Sequence, residues 1–183
     1  MAGPGNGGGK PPTDTTRTDA VDMLAAQWQR ERADLGHLDA MALVGRITRA
    51  GNLLQKGMKP VFAQFGLEYG EFDVLATLRR AGAPYELTAG GLLRSAMVTS
   101  GAITNRLDRL EKKGLITRGA HPTDRRAVNV RLTGEGYDVV EAAVVAHVEN
   151  EDRMLSGLTP AERGTIDAAL RRLLVSLGDT ELG

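Results

Sequence analysis

The chain has 183 residues with no cysteine, 42% hydrophobic and 25% charged residues, and its 23 basic side chains are balanced by 23 acidic ones. That composition excludes a disulfide framework, a thiolate metal site and a thiol redox switch, and it suits one well-packed domain rather than two large ones. No apolar run reaches the roughly 18 residues of a membrane span and no signal-peptide pattern precedes the first helix, so a cytoplasmic protein without a membrane partner is expected.

Residues 1–18 are rich in Gly, Pro and Thr and read as a flexible tail; residues 19–178 read as a single domain. Asp19 is placed to cap a helix running to about Arg32, with Val21, Leu24, Ala25 and Trp28 on one face. Leu35–Gly36 looks like a break. A second helix is expected over 38–58, carrying Leu43, Val44, Ile47, Leu54 and Met58 on one side, until Pro60 interrupts it. A short helical piece then brings Val61, Phe62 and Phe65 to Gly66. The next helix starts near Tyr69–Gly70, holds Phe72, Leu75, Ala76 and Leu78, and closes at Ala81–Gly82–Ala83–Pro84.

The stretch from Thr88 to Thr133 is the most informative. It reads as two short helices and a β-hairpin. In the second helix Ala102, Ile103, Leu107 and Leu110 form a narrow apolar stripe, while Thr99, Ser100, Thr104, Asn105, Arg106 and Arg109 occupy the other sides. Gly114 stands where a left-handed cap is expected. Such a helix buries one stripe and offers donors and acceptors on the rest, which suits a DNA major groove. Strands Leu115–Arg118 and Val128–Leu132 make the hairpin, with Arg125 and Arg126 at its tip. The architecture expected is therefore mainly α with a small β-hairpin wing, a winged helix–turn–helix over about 61–133.

A net charge of zero argues against a generic polyanion binder, but the distribution answers it. Between Arg94 and Arg131 there are nine basic residues against three acidic ones, an excess of six that the remainder of the chain cancels. A basic face on an acidic body attracts phosphates locally. Thr99, Ser100, Thr104, Asn105, Arg106 and Arg109 are the DNA-binding candidates on the helix, and Arg125 and Arg126 are those on the wing. Lys112 and Lys113 are expected to approach phosphates or water.

Beyond the wing, Thr133 caps a long helix to about Leu155 in which Val140, Val144 and Val148 recur every four residues. Thr159–Pro160–Ala161–Glu162 is a capping box opening the last helix, with Ile166, Leu170, Leu173, Leu174 and Leu177 on one face. The helices near 20–32, 38–58 and 134–178 are not needed to complete a winged helix. Their stripes must bury against something, and the economical partner is a second copy. A two-fold homodimer would also set two recognition helices about 10 bp apart on a palindromic site. No nucleophile–base pair or phosphate loop is present, no cofactor is implied, and His37, His121 and His147 are scattered without metal-like spacing, as expected of surface or wing residues. An enzyme is therefore not expected.

These residues resemble the MarR-type winged-helix regulators. The segments SGAITNRLDRLEKKGLITR, HPTDRRAVNVRLT and LTPAER carry the likeness, which covers about residues 38–178. Membership implies a dimer on pseudo-palindromic double-stranded DNA, usually a repressor released by a small ligand, with N- and C-terminal dimerisation helices. The resemblance also favours minor-groove or phosphate contact for one wing arginine. The extra N-terminal helix with Trp28 is similar to that of the urate-responsive, PecS-like subgroup. The ligand set this implies is Trp28, Asp73, Arg106 and Arg118. An anionic purine would stack near Trp28 and pair with Arg118, and repulsion of Asp73 would reach the recognition helix through Arg106. An arginine-lined cleft does not by itself separate a purine anion such as urate from a citrate-like acid. A regulator of the same kind responding to citrate or aconitate, and a ligand-independent DNA-binding protein, remain open at this point.

Overall fold

The computed structural model describes residues 18–95, 103–121 and 127–181. Among these described residues seven helices and a three-stranded sheet follow in the order α1 (Ala20–Glu31), α2 (Leu38–Ala63), α3 (Tyr69–Arg80), β1 (Glu86–Thr88), α4 (Ala89–Ser95), α5 (Ile103–Lys112), β2 (Ile116–Ala120), β3 (Val128–Leu132), α6 (Gly134–Met154) and α7 (Pro160–Ser176). Two compact units divide the chain, and the boundary falls inside α2 between Asn52 and Leu53.

In the first unit α1 is fastened by its cap. The Asp19 carboxylate accepts from the backbone N–H of Val21 at 2.8 Å and of Asp22 at 2.9 Å, and Asp22 accepts in return from the Asp19 N–H. Arg46 of α2 donates to the same Asp19 carboxylate at 2.8 Å and pairs with Asp22. That guanidinium holds the Asp19 carboxyl down to about 2. Val21 is the buried residue of α1 and packs over Gly45 of α2. The left-handed residue between the helices is His37, one position beyond the break expected at Leu35–Gly36.

The second unit has its core around Phe62, Val74, Leu75, Leu78, Leu92, Leu107, Leu110, Ile116, Val130, Val140 and Ala143. α3 is its axis, with eight buried residues in twelve. Phe62 stacks on Phe72 with ring centroids 4.3 Å apart, and His147 of α6 lies 5.1 and 5.0 Å from the two rings. His147 was expected at the surface. It is half-buried because its turn of α6 faces these aromatics.

Two further expectations are corrected. α2 does not end before Pro60 but continues through it to Ala63. Proline removes one donor from the helical ladder, but the next two residues, Val61 and Phe62, are buried in the core and hold the helix on course. Asn150 of α6 also donates to the Gly57 carbonyl just upstream, at 3.3 Å. The sheet has three strands rather than two: β3 is central, with β2 and β1 antiparallel on either side. β1 pairs Glu86 with Arg131 and Thr88 with Asn129, and the Asn129 amide donates to Glu86 at 2.6 Å. Three residues are too few for period-two alternation to show in sequence.

The caps read from sequence are present. Gly114 is left-handed at φ 74°, Thr133 caps α6 by accepting from Gly136 N–H at 2.9 Å, and Thr159 with Glu162 forms the capping box of α7. α7 buries none of its residues within the chain: Ile166, Leu170, Leu173, Leu174 and Leu177 are all exposed, as are Leu43, Val44 and Ile47 on α2 and Val148 on α6.

α6 starts hard against the residue that leads into β2, the first strand of the wing. A Cβ on Gly136 would stand 1.9 Å from the Leu115 carbonyl oxygen. Gly136→Ala is therefore expected to lower the unfolding free energy by about 1–3 kcal/mol in a urea titration, the usual cost of forcing atoms into a packed site. Gly134→Ala, with nothing within 4 Å of the added carbon, should leave the midpoint unchanged or slightly raised.

Candidate nucleic-acid interface and effector site

α5 keeps the apolar stripe expected of it. Leu107 and Leu110 are buried and Ile103 is partly so, packed on the core cluster. Ala102 lies outside the described residues, as do Thr99, Ser100, Arg125 and Arg126. Away from the stripe Thr104, Asn105, Asp108, Arg109 and Lys112 are exposed, Arg109 on the side nearer α3.

Three cations spaced along one side of α5 turn toward α3. Lys113, just past the end of the helix, donates to the Glu71 carboxylate at 2.6 Å and to the Gly66 carbonyl at 2.8 Å. Arg109 lies 2.9 Å from Glu68 and 3.1 Å from Glu71. The Arg106 guanidinium rests on the first turn of α3 so closely that a Cβ on Gly70 would stand 2.3 Å from its Nε. Glu71 itself is fully buried and also accepts the N–H of Glu68 at 2.8 Å. A carboxylate out of water needs partners of this kind. Glu71 is not among the residues expected from sequence to matter; its signal is the spacing Glu68–Tyr69–Gly70–Glu71 before an apolar run, a capping box with an acid at the cap.

The other side of α5 is tied to the wing. Arg118 in β2 reaches Asp108 at 2.8 Å through Nη1 and donates from Nε to Glu111 at 2.8 Å. The Arg118 guanidinium holds the Glu111 carboxyl below its ordinary range, and the Glu111 hydrogen bond in turn raises Arg118. Much of the positive excess counted along the sequence is thus engaged within the fold, whereas Arg94, Lys112 and Arg131 remain exposed.

Of the four residues suggested as a ligand set, the structure brings two to one helix. Asp73, 6% exposed, follows Gly70 by one turn of α3, so Arg106 is seated a turn from it. Burial, together with the charges of Asp73 and Glu151, pushes the Tyr69 phenol up. A cavity of about 690 Å³ opens here, lined by Gln55, Lys59, Tyr69, Gly70, Arg106 and Arg109 among others. Arg118 is at the wing with its two carboxylates. Trp28 belongs to the first unit, 45% exposed, in an apolar groove of about 320 Å³ with Val21, Leu24, Met41 and Arg49. Lys59 and Tyr69 were not legible as lining residues, because nothing in their spacing marks them.

Comparison with known proteins gives a consistent result. Residues 67–128 match the MarR family model. The chain is 38% identical over 153 residues to the HTH-type transcriptional regulator PecS of Dickeya dadantii, covering 84% of this chain and 92% of that protein. Among solved structures, the MarR family regulator Sco5413 of Streptomyces coelicolor superposes with a TM-score of 0.69 at 29% identity, covering 79% of this chain and 99% of that one. BpsR of Bordetella bronchiseptica, whose DNA binding is described as regulated by 6-hydroxynicotinic acid, gives a TM-score of 0.63 at 26% identity over 70% and 90% of the two chains.

Two outcomes follow from the ion pairs. The double variant Arg109→Ala/Lys113→Ala leaves the fully buried Glu71 carboxylate without counter-charge and is expected to cost about 3–5 kcal/mol in urea unfolding. Arg118→Ala should return the Glu111 titration, followed by NMR, toward the free value of 4.5. Because the folded carboxyl titrates below that value, the pair contributes above the free range and is lost as pH falls through the folded one.

Proposed function

The chain belongs to the MarR family of winged-helix DNA-binding transcriptional regulators, and from that premise we propose that it is a dimeric repressor released from a pseudo-palindromic operator by a small planar anion of the urate type. The observation that carries the reading is the seat of Arg106: a guanidinium on the recognition helix, lodged against α3 one turn from the buried Asp73 and bordering a cavity with further cations. A ligand anion that engages the guanidinium shifts charge beside Asp73, and the two-state response then follows from tighter binding to the form that does not grip DNA.

The dimer is supported by the apolar faces of α2 and α7, which the single chain leaves in water. Thr104 and Asn105 are the described residues best exposed for base edges, and the wing arginines Arg125 and Arg126, with Thr99 and Ser100, are assigned to DNA from sequence. Trp28, Asp73, Arg106 and Arg118 are assigned to the effector on the same ground. The response of BpsR to a planar heteroaromatic acid favours urate or a related purine over citrate or aconitate.

The test is a promoter-fragment shift titrated with urate, xanthine and citrate. Urate is expected to weaken operator binding about 5- to 150-fold, the span of ordinary allosteric coupling. Trp28→Ala and Asp73→Ala should keep DNA binding and lose the response. Unchanged affinity at millimolar urate sinks the effector assignment, and release by citrate alone transfers it to the carboxylate.

A further inference from the structure

Arg106 stands in both assignments, operator and effector, yet in this structure its guanidinium is turned onto α3, at the rim of the cavity described above. It lies on backbone. A Cβ added to Gly70 would stand 2.3 Å from its Nε, 2.7 Å from Cζ and 3.0 Å from Cδ, so any larger residue there obliges the guanidinium to leave this position. Gly70 is itself buried, in the first turn of α3. The neighbouring cations are held differently: Arg109 and Lys113 have Glu68 and Glu71 as partners, whereas Arg106 occupies a place created by a missing side chain. Its Nη1 is buried and makes no hydrogen bond. A buried donor without an acceptor is a standing cost. The seat therefore holds the guanidinium by shape, and a phosphate or base edge that offers Nη1 an acceptor draws it out.

We propose that Gly70 sets the operator affinity of this protein by supplying the seat that withdraws Arg106 from the DNA-facing side of α5. The inference rests on the DNA-binding reading and adds a residue to it. Position 70 touches neither DNA nor ligand and acts through Arg106, which makes it a positioning residue. Any side chain there evicts the guanidinium to the surface of the recognition helix, where it adds one cation to the interface.

Full-length wild type, Gly70→Ala, Arg106→Ala and the double variant are compared by fluorescence anisotropy on one palindromic promoter fragment over a salt series, beside thermal melts. Gly70→Ala is expected to bind about 5-fold tighter, with a salt slope steeper by about 0.9, the increment for one more phosphate contact. Arg106→Ala and the double variant should be indistinguishable from each other. A Gly70→Ala protein that binds like wild type, binds more weakly, or stays tighter in the Arg106→Ala background overturns the proposal. A wild type that shifts no promoter fragment removes the DNA-binding reading and this inference with it. A second readout uses wild type alone, so it holds if Gly70→Ala does not fold. The Arg106 Nε–H resonance, assigned by its loss in Arg106→Ala, should exchange slowly in the free protein and quickly on adding operator; unchanged exchange overturns the seat.

Discussion

The recognition helix depends on the carboxylate of Glu71, which has no contact with water and must therefore keep its counter-charges. Arg109 of α5 and Lys113 just beyond it supply them, the Glu68 N–H at the cap of α3 completes the set, and the Gly66 carbonyl accepts a second hydrogen of Lys113. An ion pair of this sort is a poor source of net stability but an expensive thing to break. It behaves as a register pin: it fixes which side of α5 faces α3, and hence which side is left for DNA. The apolar stripe alone, two leucines and an isoleucine, would tolerate rotation of the helix by a fraction of a turn.

The same pin explains why counting charges overstates the basic face. Arg109, Lys113 and Arg118 all lie in the positive window, and all three have acidic partners within the fold. Arg118 bridges α5 to the wing, so the two elements that would straddle a phosphate backbone are tied to each other. What is left for phosphates is a smaller set of exposed cations, and exchange of an internal carboxylate for a phosphate is a natural way to couple DNA contact to the shape of this region.

Away from DNA, the structure carries apolar surface that a lone chain does not cover. α7 has an unbroken row of exposed leucines with Ile166, and α2 has Leu43, Val44 and Ile47 in the same condition. Rows of this kind on long helices cost free energy in water in proportion to their area, and pairing two copies about a two-fold removes the cost from both at once. In the dimer proposed above, that pairing would also set the spacing of the two reading helices.

By itself the sequence determined what is local. The caps at Asp19, Thr133 and Thr159, the left-handed Gly114, the buried stripe of α5 and the strand Val128–Leu132 were all readable, because each depends on residues a few positions apart. The wing motif and its spacing were specific enough to indicate the family. What only the tertiary structure decided is long-range. The aromatic cluster around Phe62 drew His147 inward and carried α2 through Pro60, overriding the local cost of proline. β1 exists because β3 has a free edge to pair, and three residues leave no periodic trace of that. Nothing singled out Glu71 in the sequence, because its two cations come from the distant α5 region, and Arg106, assigned from sequence to base edges and ligand, was folded onto Gly70. Side-chain type is written in the sequence; which neighbour neutralises a charge or vacates a space is settled only when distant elements meet.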